Sequence, residues 1–260
     1  MNLSSRSWLL VAFALGLLAL TYLLIVPKSE QVTLHHDSNI NSEEVARFNL
    51  AKTKAENGES EYQMILAHKY ESGSGVAQDL RESAKWWFKA AEQGEAFAQN
   101  YLGDHFATGK NHYSKDYVAA ASWYRKAAEQ EMPSAQYSLG KCYANGEGLL
   151  KDEIEAITWC RRAADHGYEP AQSYIASCYA NGIGYGKNMI EAYAYLILAG
   201  VTNEDARSYR DRIEKDMSYS ERLLGQSRAR DLQRAIETNV KARAARIAAK
   251  KAQAGKGSSK

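Results

Sequence analysis

The sequence is poor in the residues from which disulfide scaffolds, metal centres and nucleotide sites are built. It has three cysteines in 260 residues, Cys142, Cys160 and Cys178, and an odd number excludes a fully paired disulfide framework. The Gly-x-Gly sequences lack the preceding strand and following Lys-Ser or Lys-Thr that a phosphate-binding loop needs. The histidines and acids form no metal-spaced or triad-like set. We therefore predict no catalytic residue, no metal site and no cofactor, and we interpret the cysteines as buried apolar side chains.

The net charge is also small, because the 33 Lys and Arg residues nearly balance the 31 Asp and Glu residues. The distribution is uneven: residues 222–260 hold eleven basic and two acidic residues, or +9, which leaves 22 and 29, or −7, for residues 1–221. The Ala-rich basic segment 241–260 could contact anionic lipid, nucleic acid or an acidic protein, but it lacks the apolar stripe of interfacial helices. We interpret it as a solvated helix with a disordered tail, and we expect no nucleic-acid partner.

Only one long hydrophobic run occurs. Residues 8–26 contain no charge, and a helix of this length just crosses a hydrocarbon core of about 30 Å. Arg6 precedes the run and no basic cluster follows it, so the positive-inside rule predicts a cytoplasmic segment 1–7 and an exported remainder. A cleaved signal peptide is the alternative, but no Ala-x-Ala precedes Pro27. We expect an uncleaved, single-pass signal-anchor in a bacterial inner membrane.

The segment after the apolar run is predicted to link it to the folded part of the chain. Residues 27–42 are polar and aperiodic, which is typical of a flexible linker. His35 and His36 could bind a metal as a pair, but no third ligand lies nearby, so we interpret them as solvated. The folded part is predicted to begin at residue 43.

Between residues 55 and 200, a sequence repeat of about 36 residues occurs four times. A period this regular is typical of a solenoid. Its clearest column is aromatic and recurs at intervals of 37, 36 and 36 residues: Trp86, Trp123, Trp159 and Tyr195.

Each copy is predicted to form two antiparallel helices. The first has apolar residues at i, i+4 and i+8, as at Ala98, Leu102 and Phe106. It ends at a glycine, and the Gly-x-Gly sequence there fits a tight turn. The terminal glycines are Gly73, Gly109, Gly146 and Gly182. The second helix opens at a residue that suits an N-cap better than a carboxylate array, since every helix needs a cap. These residues are Asp79, Asp116, Asp152 and Asn188.

The aromatic column is interpreted as core. It stands four residues before a pair of small residues in each copy, and large residues facing small ones allow helices to interlock. A ligand-binding aromatic cage is the alternative. Trp87 stands beside Trp86 in only one copy, and we predict that it is an exposed aromatic anchor for a partner.

Both ends of the array are predicted to be capped. Residues 43–57 match the second helix shifted by 36 positions, with Leu50 in the place of Trp86, so they form a half-repeat. Residues 201–240 lose the period but keep helical spacing. They are predicted to form capping helices that break near Met217.

The third copy contains the string Ala-Gln-x-x-Leu-Gly-x-x-Tyr-x-x-Gly-x-Gly, then Lys-Asp and Ala-x-x-Trp before an Ala-Ala pair. This pattern resembles the Sel-one-like repeat (SLR) family, relatives of the tetratricopeptide repeat, over about residues 55–200. The second copy departs from it at Lys110, Asn111 and Glu131, and the fourth lacks the Trp. The resemblance implies an all-α, right-handed α-solenoid over residues 43–200. It also implies protein binding on the concave face, without catalytic residues.

Two surface columns of the first helices, opposite the core face, change from copy to copy. Variation over a constant core is expected of a surface shaped for one partner. We call these the recognition columns and predict that they bind the partner together with Trp87. Their members are Met64, His68, Asn100, Asp104, Tyr137, Lys141, Ser173 and Ser177.

We therefore expect a non-enzymatic, membrane-anchored periplasmic protein with a protein partner. Some exported relatives in this family resemble immunity proteins that neutralise secreted phospholipase toxins, so the partner implied is a toxin or a component of an envelope complex. The alternative class is an envelope enzyme or a direct peptidoglycan- or lipid-binding protein. The scattered His105, His112 and His166 favour that alternative, but they form no recognisable site.

Overall fold

A computed structural model describes residues 42–111 and 113–257. Over these residues the regular secondary structure consists of eleven helices, which confirms the predicted all-α class. The helices are α1 (Ser42–Glu56), α2 (Ser60–Ser72), α3 (Leu80–Glu92), α4 (Ala96–Thr108), α5 (Tyr117–Glu129), α6 (Pro133–Asn145), α7 (Glu153–Asp165), α8 (Glu169–Asn181), α9 (Met189–Ala199), α10 (Glu204–Glu214) and α11 (Tyr219–Gly257).

Consecutive helices from α1 to α10 pack against one another along the chain. The four repeats are the pairs α2–α3, α4–α5, α6–α7 and α8–α9, and α1 packs on α2 as the predicted half-repeat. Helix α1 buries Phe48, Ala51 and Ala55. Leu50, expected to occupy the place of Trp86, is instead 56% exposed. Phe48 makes the aromatic contact of this helix, meeting the ring of Tyr70 edge-on at 5.4 Å, so the cap does not use the aromatic column.

The helix ends follow the predicted chemistry. Asp116 accepts hydrogen bonds from the backbone N–H groups of Val118 and Ala119 at 2.9 and 3.0 Å, and the other three N-cap residues do the same in their repeats. All four first helices end at a glycine with φ between 69° and 75°. Only glycine adopts this left-handed conformation at little cost. Local sequence therefore sets the C-terminal end of each first helix and the N-terminal end of each second helix.

Small residues on the first helices allow the paired helix to approach closely. A Cβ atom at Gly103 would lie 2.5 Å from the ring of Tyr124, and one at Gly140 would lie 2.5 Å from the Cys160 sulfur. Cys160 and the other two cysteines are buried and unpaired, as predicted. Burial raises the pKa of the Cys160 thiol to about 12, which keeps it protonated and unreactive at neutral pH.

The C-terminal helices close the array. Helices α10 and α11 are separated near Met217, as predicted, and α11 buries Ala229, Leu232 and Ile236, with α9 as its main packing partner. The sequence suggested a separate basic segment from residue 241, but α11 continues through that point without a break. Its second half lies along the ends of two repeats, and Arg246 pairs there with Glu131 at 2.7 Å.

The predicted anchor at residues 8–26 and the segments on either side of it, including His35 and His36, lie outside the described residues, as does His112. Within the described part, none of the helices has both the length and the apolar character required to span a bilayer.

Candidate functional site

A groove of about 1000 Å³ opens between helices α2 and α4, with helix α3 behind it. Its lining is mainly apolar, although charged groups stand at its rim. Three of the predicted binding residues meet here, namely Met64, His68 and Trp87. The other residues that line it include Ile65, Phe97, Tyr101, Glu61, Lys69 and Glu71. We call this the α2–α4 groove.

Trp87 forms the base of the groove. It is 4% exposed, so the prediction that it is an exposed anchor is wrong. The reason is its column: the equivalent residues in later repeats are Tyr124, Cys160 and Leu196, and all of them are buried between the two helices of a pair. Trp87 belongs to the same buried cluster as Ala67, and its large ring also lines the groove. No acceptor among the described residues bonds its buried indole N–H.

Tyr101 fixes one wall of the groove. Its ring stacks on that of Trp87 with the centroids 4.0 Å apart, and its hydroxyl donates to Glu71 Oε1 at 2.7 Å. Asn111 also donates to this oxygen at 2.7 Å. Burial and the nearby Glu71 carboxylate raise the pKa of Tyr101. The phenol is therefore a fixed donor, and the stacked pair forms a rigid aromatic surface.

The rim of the groove carries apolar side chains that are exposed to solvent. Phe97 is 57% exposed and Ile65 is 40% exposed, and the Phe97 ring lies 6.0 Å from that of Trp87. Exposed aliphatic and aromatic side chains above a stacked aromatic pair are typical of a surface that is covered by a partner. The groove can thus accept an apolar side chain without rearrangement of its base.

Sequence reasoning missed Ile65, Phe97 and Tyr101. The sequence did contain a sign that Phe97 is unusual, because the other copies have Glu61, Ser134 and Pro170 at its position. A large apolar residue in a column that is otherwise polar or small marks a surface specific to one repeat. The groove itself could not be read from the columns, because it forms between two repeats.

The middle of the recognition columns is held by hydrogen bonds. Asp104 accepts from the Tyr124 hydroxyl at 2.8 Å and from Asn100 Nδ2 at 3.1 Å. Its carboxylate is desolvated by the neighbouring helix although the residue keeps an exposed edge, and this burial raises the pKa of Asp104. Asn100 and Asp104 thus have structural bonds as well as an exposed side.

The remaining recognition-column residues lie away from the groove. Tyr137 and Ser173 line a smaller cleft of about 320 Å³, and the Tyr137 ring lies 5.6 Å from that of Tyr168. Lys141 is exposed, and the Ser177 hydroxyl accepts from Asn181 at 3.2 Å. The nine predicted residues therefore divide between the groove, the Asp104 cluster and the later repeats.

The repeated tryptophans are packed beneath cations. The Lys89 ammonium lies 3.8 Å above the Trp86 ring, Lys126 lies 3.9 Å above Trp123, and Arg162 lies 4.4 Å above Trp159. Trp86 and Trp159 are buried and Trp123 is half-buried. A residue one turn later thus covers each ring, and the burial of Trp86 and Trp159 supports core packing over an aromatic cage.

The titratable side chains of the described residues are scattered. No group of three or more His, Cys, Asp or Glu among them could hold a metal ion. His105 stacks against Tyr101 at 4.1 Å, and the pKa of His166 is lowered by burial. Neither histidine is paired with a nucleophile in the described contacts.

Two solved structures similar to this chain are repeat proteins of known fold. A protective antigen present in uropathogenic Escherichia coli strains, which displays an SLR fold, is 31% identical over 77% of this chain, with a TM-score of 0.65. A Sel1 repeat protein from Oxalobacter formigenes is 29% identical over 65% of this chain, with a TM-score of 0.60. The chain spans 42% and 50% of those two chains. Comparison with curated proteins gives no match.

The family comparison agrees with the observed helix pairs. The Sel1 repeat matches four times, over residues 60–95, 96–132, 133–168 and 170–200. These boundaries coincide with the pairs from α2–α3 to α8–α9, and together they cover more than half of the chain. The chain belongs to the Sel1 repeat family, whose members are in general protein-binding helical scaffolds.

Proposed function

We propose that this protein is a non-enzymatic scaffold that binds a protein partner through the α2–α4 groove and the recognition columns beside it. The observation that carries the proposal is the apolar groove with the stacked Trp87–Tyr101 pair at its base and exposed Phe97 at its rim. Rigid aromatic surfaces in a groove are typical binding hot spots. The partner inserts an aromatic or long aliphatic side chain there.

The cellular setting is part of the proposal. The apolar run at residues 8–26 anchors the chain in a bacterial inner membrane, and the repeats face the periplasm. The partner is then a secreted phospholipase-type toxin, which makes the chain an immunity protein, or a component of an envelope complex. An alkaline phosphatase fusion after residue 260 tests the topology: activity is expected, and an inactive fusion that is produced in full contradicts export.

The groove is tested with substitutions at its exposed rim, because these leave the core intact. We expect Ile65→Ser with Phe97→Ser to raise the Kd for the partner by about tenfold or more, since a truncated anchor costs over 1 kcal/mol. The matched control is Leu150→Ser with Ile154→Ser, because those side chains are 90% and 75% exposed and lie outside the groove. The control should bind like the wild type.

The partner is first captured from envelope extract on the wild-type chain and then purified for direct titration. Equal affinities for the rim variant and the control would show that the groove is not the binding site. If the captured protein is a phospholipase, its activity should fall when the chain is added. An undiminished activity contradicts the immunity role. Hydrolysis of peptidoglycan or lipid by the chain alone would favour the enzyme alternative.

A further inference from the structure

A buried glutamine recurs at the start of the first helix in each repeat. Gln63, Gln99 and Gln136 are 3%, 5% and 2% exposed. In each case the side-chain Nε2 donates to the last turn of the preceding second helix, at 3.3, 3.0 and 3.3 Å. The donor side of this amide is therefore used in the same way in three repeats.

The acceptor side of the amide is satisfied in the first two of these repeats by a second glutamine. Gln93 Nε2 donates to Gln63 Oε1 at 2.8 Å, and Gln130 Nε2 donates to Gln99 Oε1 at 2.8 Å. The Gln130 amide also donates to the Gly94 carbonyl oxygen at 2.8 Å. One NH₂ group thus serves two acceptors at the junction between repeats.

The third junction breaks this pattern. The residue equivalent to Gln130 is His166, and the equivalent of Gly94 is Glu131. Gln136 Oε1 is buried, and none of the described residues donates a hydrogen bond to it. His166 Nδ1 is also buried without a partner among those residues. A buried amide oxygen without a donor costs about 1–3 kcal/mol, so it calls for an explanation.

Both atoms belong to residues that line a polar cleft of about 470 Å³. Trp159 forms an apolar wall, and Arg162, Glu129 and Asp165 supply charges of both signs. Helix α11 completes the cleft. Asn239 lines it and donates to the Asp165 carbonyl oxygen at 3.1 Å, and Arg246 pairs with Glu131 beside it. The C-terminal helix therefore builds a wall that the two earlier junctions do not have.

We propose that this cleft is a binding site for a primary carboxamide. Its NH₂ group takes the place of the Gln130 amide and donates to Gln136 Oε1 and to the Glu131 carbonyl oxygen, and its aliphatic part lies against Trp159. A neutral amide is the group expected here, because the amide of Gln130 makes the equivalent two hydrogen bonds at the preceding junction and because Glu131 is already paired with Arg246. This inference is independent of the partner groove.

Two sources share this chemistry, a free amino acid and the side chain of a peptide. The full chain, labelled with ¹⁵N in detergent micelles, is titrated with L-glutamine and separately with N-acetyl-L-glutamine N-methylamide. L-Glutamate is the matched control, because it has the same shape and lacks the NH₂ donor. We expect a saturable shift of the Trp159 indole and Gln136 side-chain signals. The Kd for glutamate should be higher than that for glutamine by about tenfold or more.

A chain variant tests the same site from the other side. His166→Gln restores the residue of the earlier junctions, so its amide should donate to Gln136 Oε1. Titration by either probe should then be lost, and the melting temperature should rise. His105→Gln is the control, since His105 is not among the residues that line the cleft, and it should leave the titration unchanged.

The outcomes separate the sources and the alternatives. Saturation by the capped probe alone assigns a peptide side chain, and saturation by L-glutamine assigns the free amino acid. Equal response to glutamine and glutamate, or an unchanged response in His166→Gln, would overturn the proposal. A water molecule that stays bonded to Gln136 Oε1 at saturating probe would also overturn it.

Discussion

Tyr124 donates a hydrogen bond to Asp104 across 2.8 Å and so joins the buried column of the second helices to the recognition columns of the first. The bond stabilises the charged carboxylate, but desolvation outweighs it and the pKa of Asp104 is raised. Part of the predicted binding surface is therefore also part of the framework. Substitutions of Asp104 consequently report on stability as well as on recognition.

A pH dependence of stability follows from that pKa. A carboxyl group with a raised folded-state pKa binds its proton more tightly when the chain is folded. Its stabilising effect is present below the unfolded pKa of about 4 and is lost as pH rises through the folded-state value. We expect that the free energy of unfolding of the Asp104→Asn variant does not show this fall with rising pH. Urea unfolding of both proteins from about pH 4 upward measures it, and parallel curves would contradict the prediction.

Close helix approach makes two glycines intolerant of a methyl group. Alanine at Gly103 or Gly140 gains about 1 kcal/mol of helix propensity. The added Cβ would lie 2.5 Å from Tyr124 or from the Cys160 sulfur. We expect a net loss of about 1–3 kcal/mol in the free energy of unfolding for each, because overpacking outweighs propensity.

The control for these variants is Gly186→Ala. A Cβ there meets nothing within 4 Å, and the backbone is not left-handed. Its free energy of unfolding should change by less than about 0.5 kcal/mol. If Gly103→Ala were as stable as this control, the close contact of α4 with Tyr124 would be incorrect.

The pair formed by Glu131 and Arg246 connects the second repeat to α11. Glu131 has φ of 61°, while the equivalent residues Gly58, Gly94 and Gly167 are glycines with φ between 81° and 95°. Glu131→Gly removes a left-handed strain of about 1–2 kcal/mol. It also removes an ion pair that is half exposed and contributes about 0–1 kcal/mol. We expect a small net gain in stability.

The two contributions separate in a cycle of four proteins, with Glu131→Gly made in the wild type and in Arg246→Ala. The gain should be larger in the Arg246→Ala background, because the ion pair is already absent there. Hydrogen exchange in the second half of α11 should speed up in all three variants. A loss of stability on adding Glu131→Gly to Arg246→Ala would show that the left-handed backbone carries no strain.

Local chemistry explains most of what the sequence predicted correctly. The period, the N-caps at Asp79, Asp116, Asp152 and Asn188, and the glycine ends depend on contacts within a few residues, so they can be read along the chain. The Sel1 resemblance followed from the same columns. The interpretation of the three cysteines as buried apolar side chains was confirmed as well.

Trp87 shows where reading along the chain failed. One copy alone could not say whether its side chain pointed outward, and its column in the other copies, Tyr124, Cys160 and Leu196, was the better guide. The α2–α4 groove arises between residues 30 or more positions apart, such as Glu71 and Tyr101, which a period cannot reveal.

The sequence by itself determined the number of repeats, the glycine ends of the first helices, the N-caps of the second helices and the all-helical class, because each repeat contacts mainly its neighbours and these helix ends are satisfied locally. Only the tertiary structure decided which aromatic residues line the groove. It also placed the second half of α11 against Glu131, 115 residues earlier in the chain. Contacts over such separations depend on how the stacked repeats superpose, and short-range patterns carry no information about that.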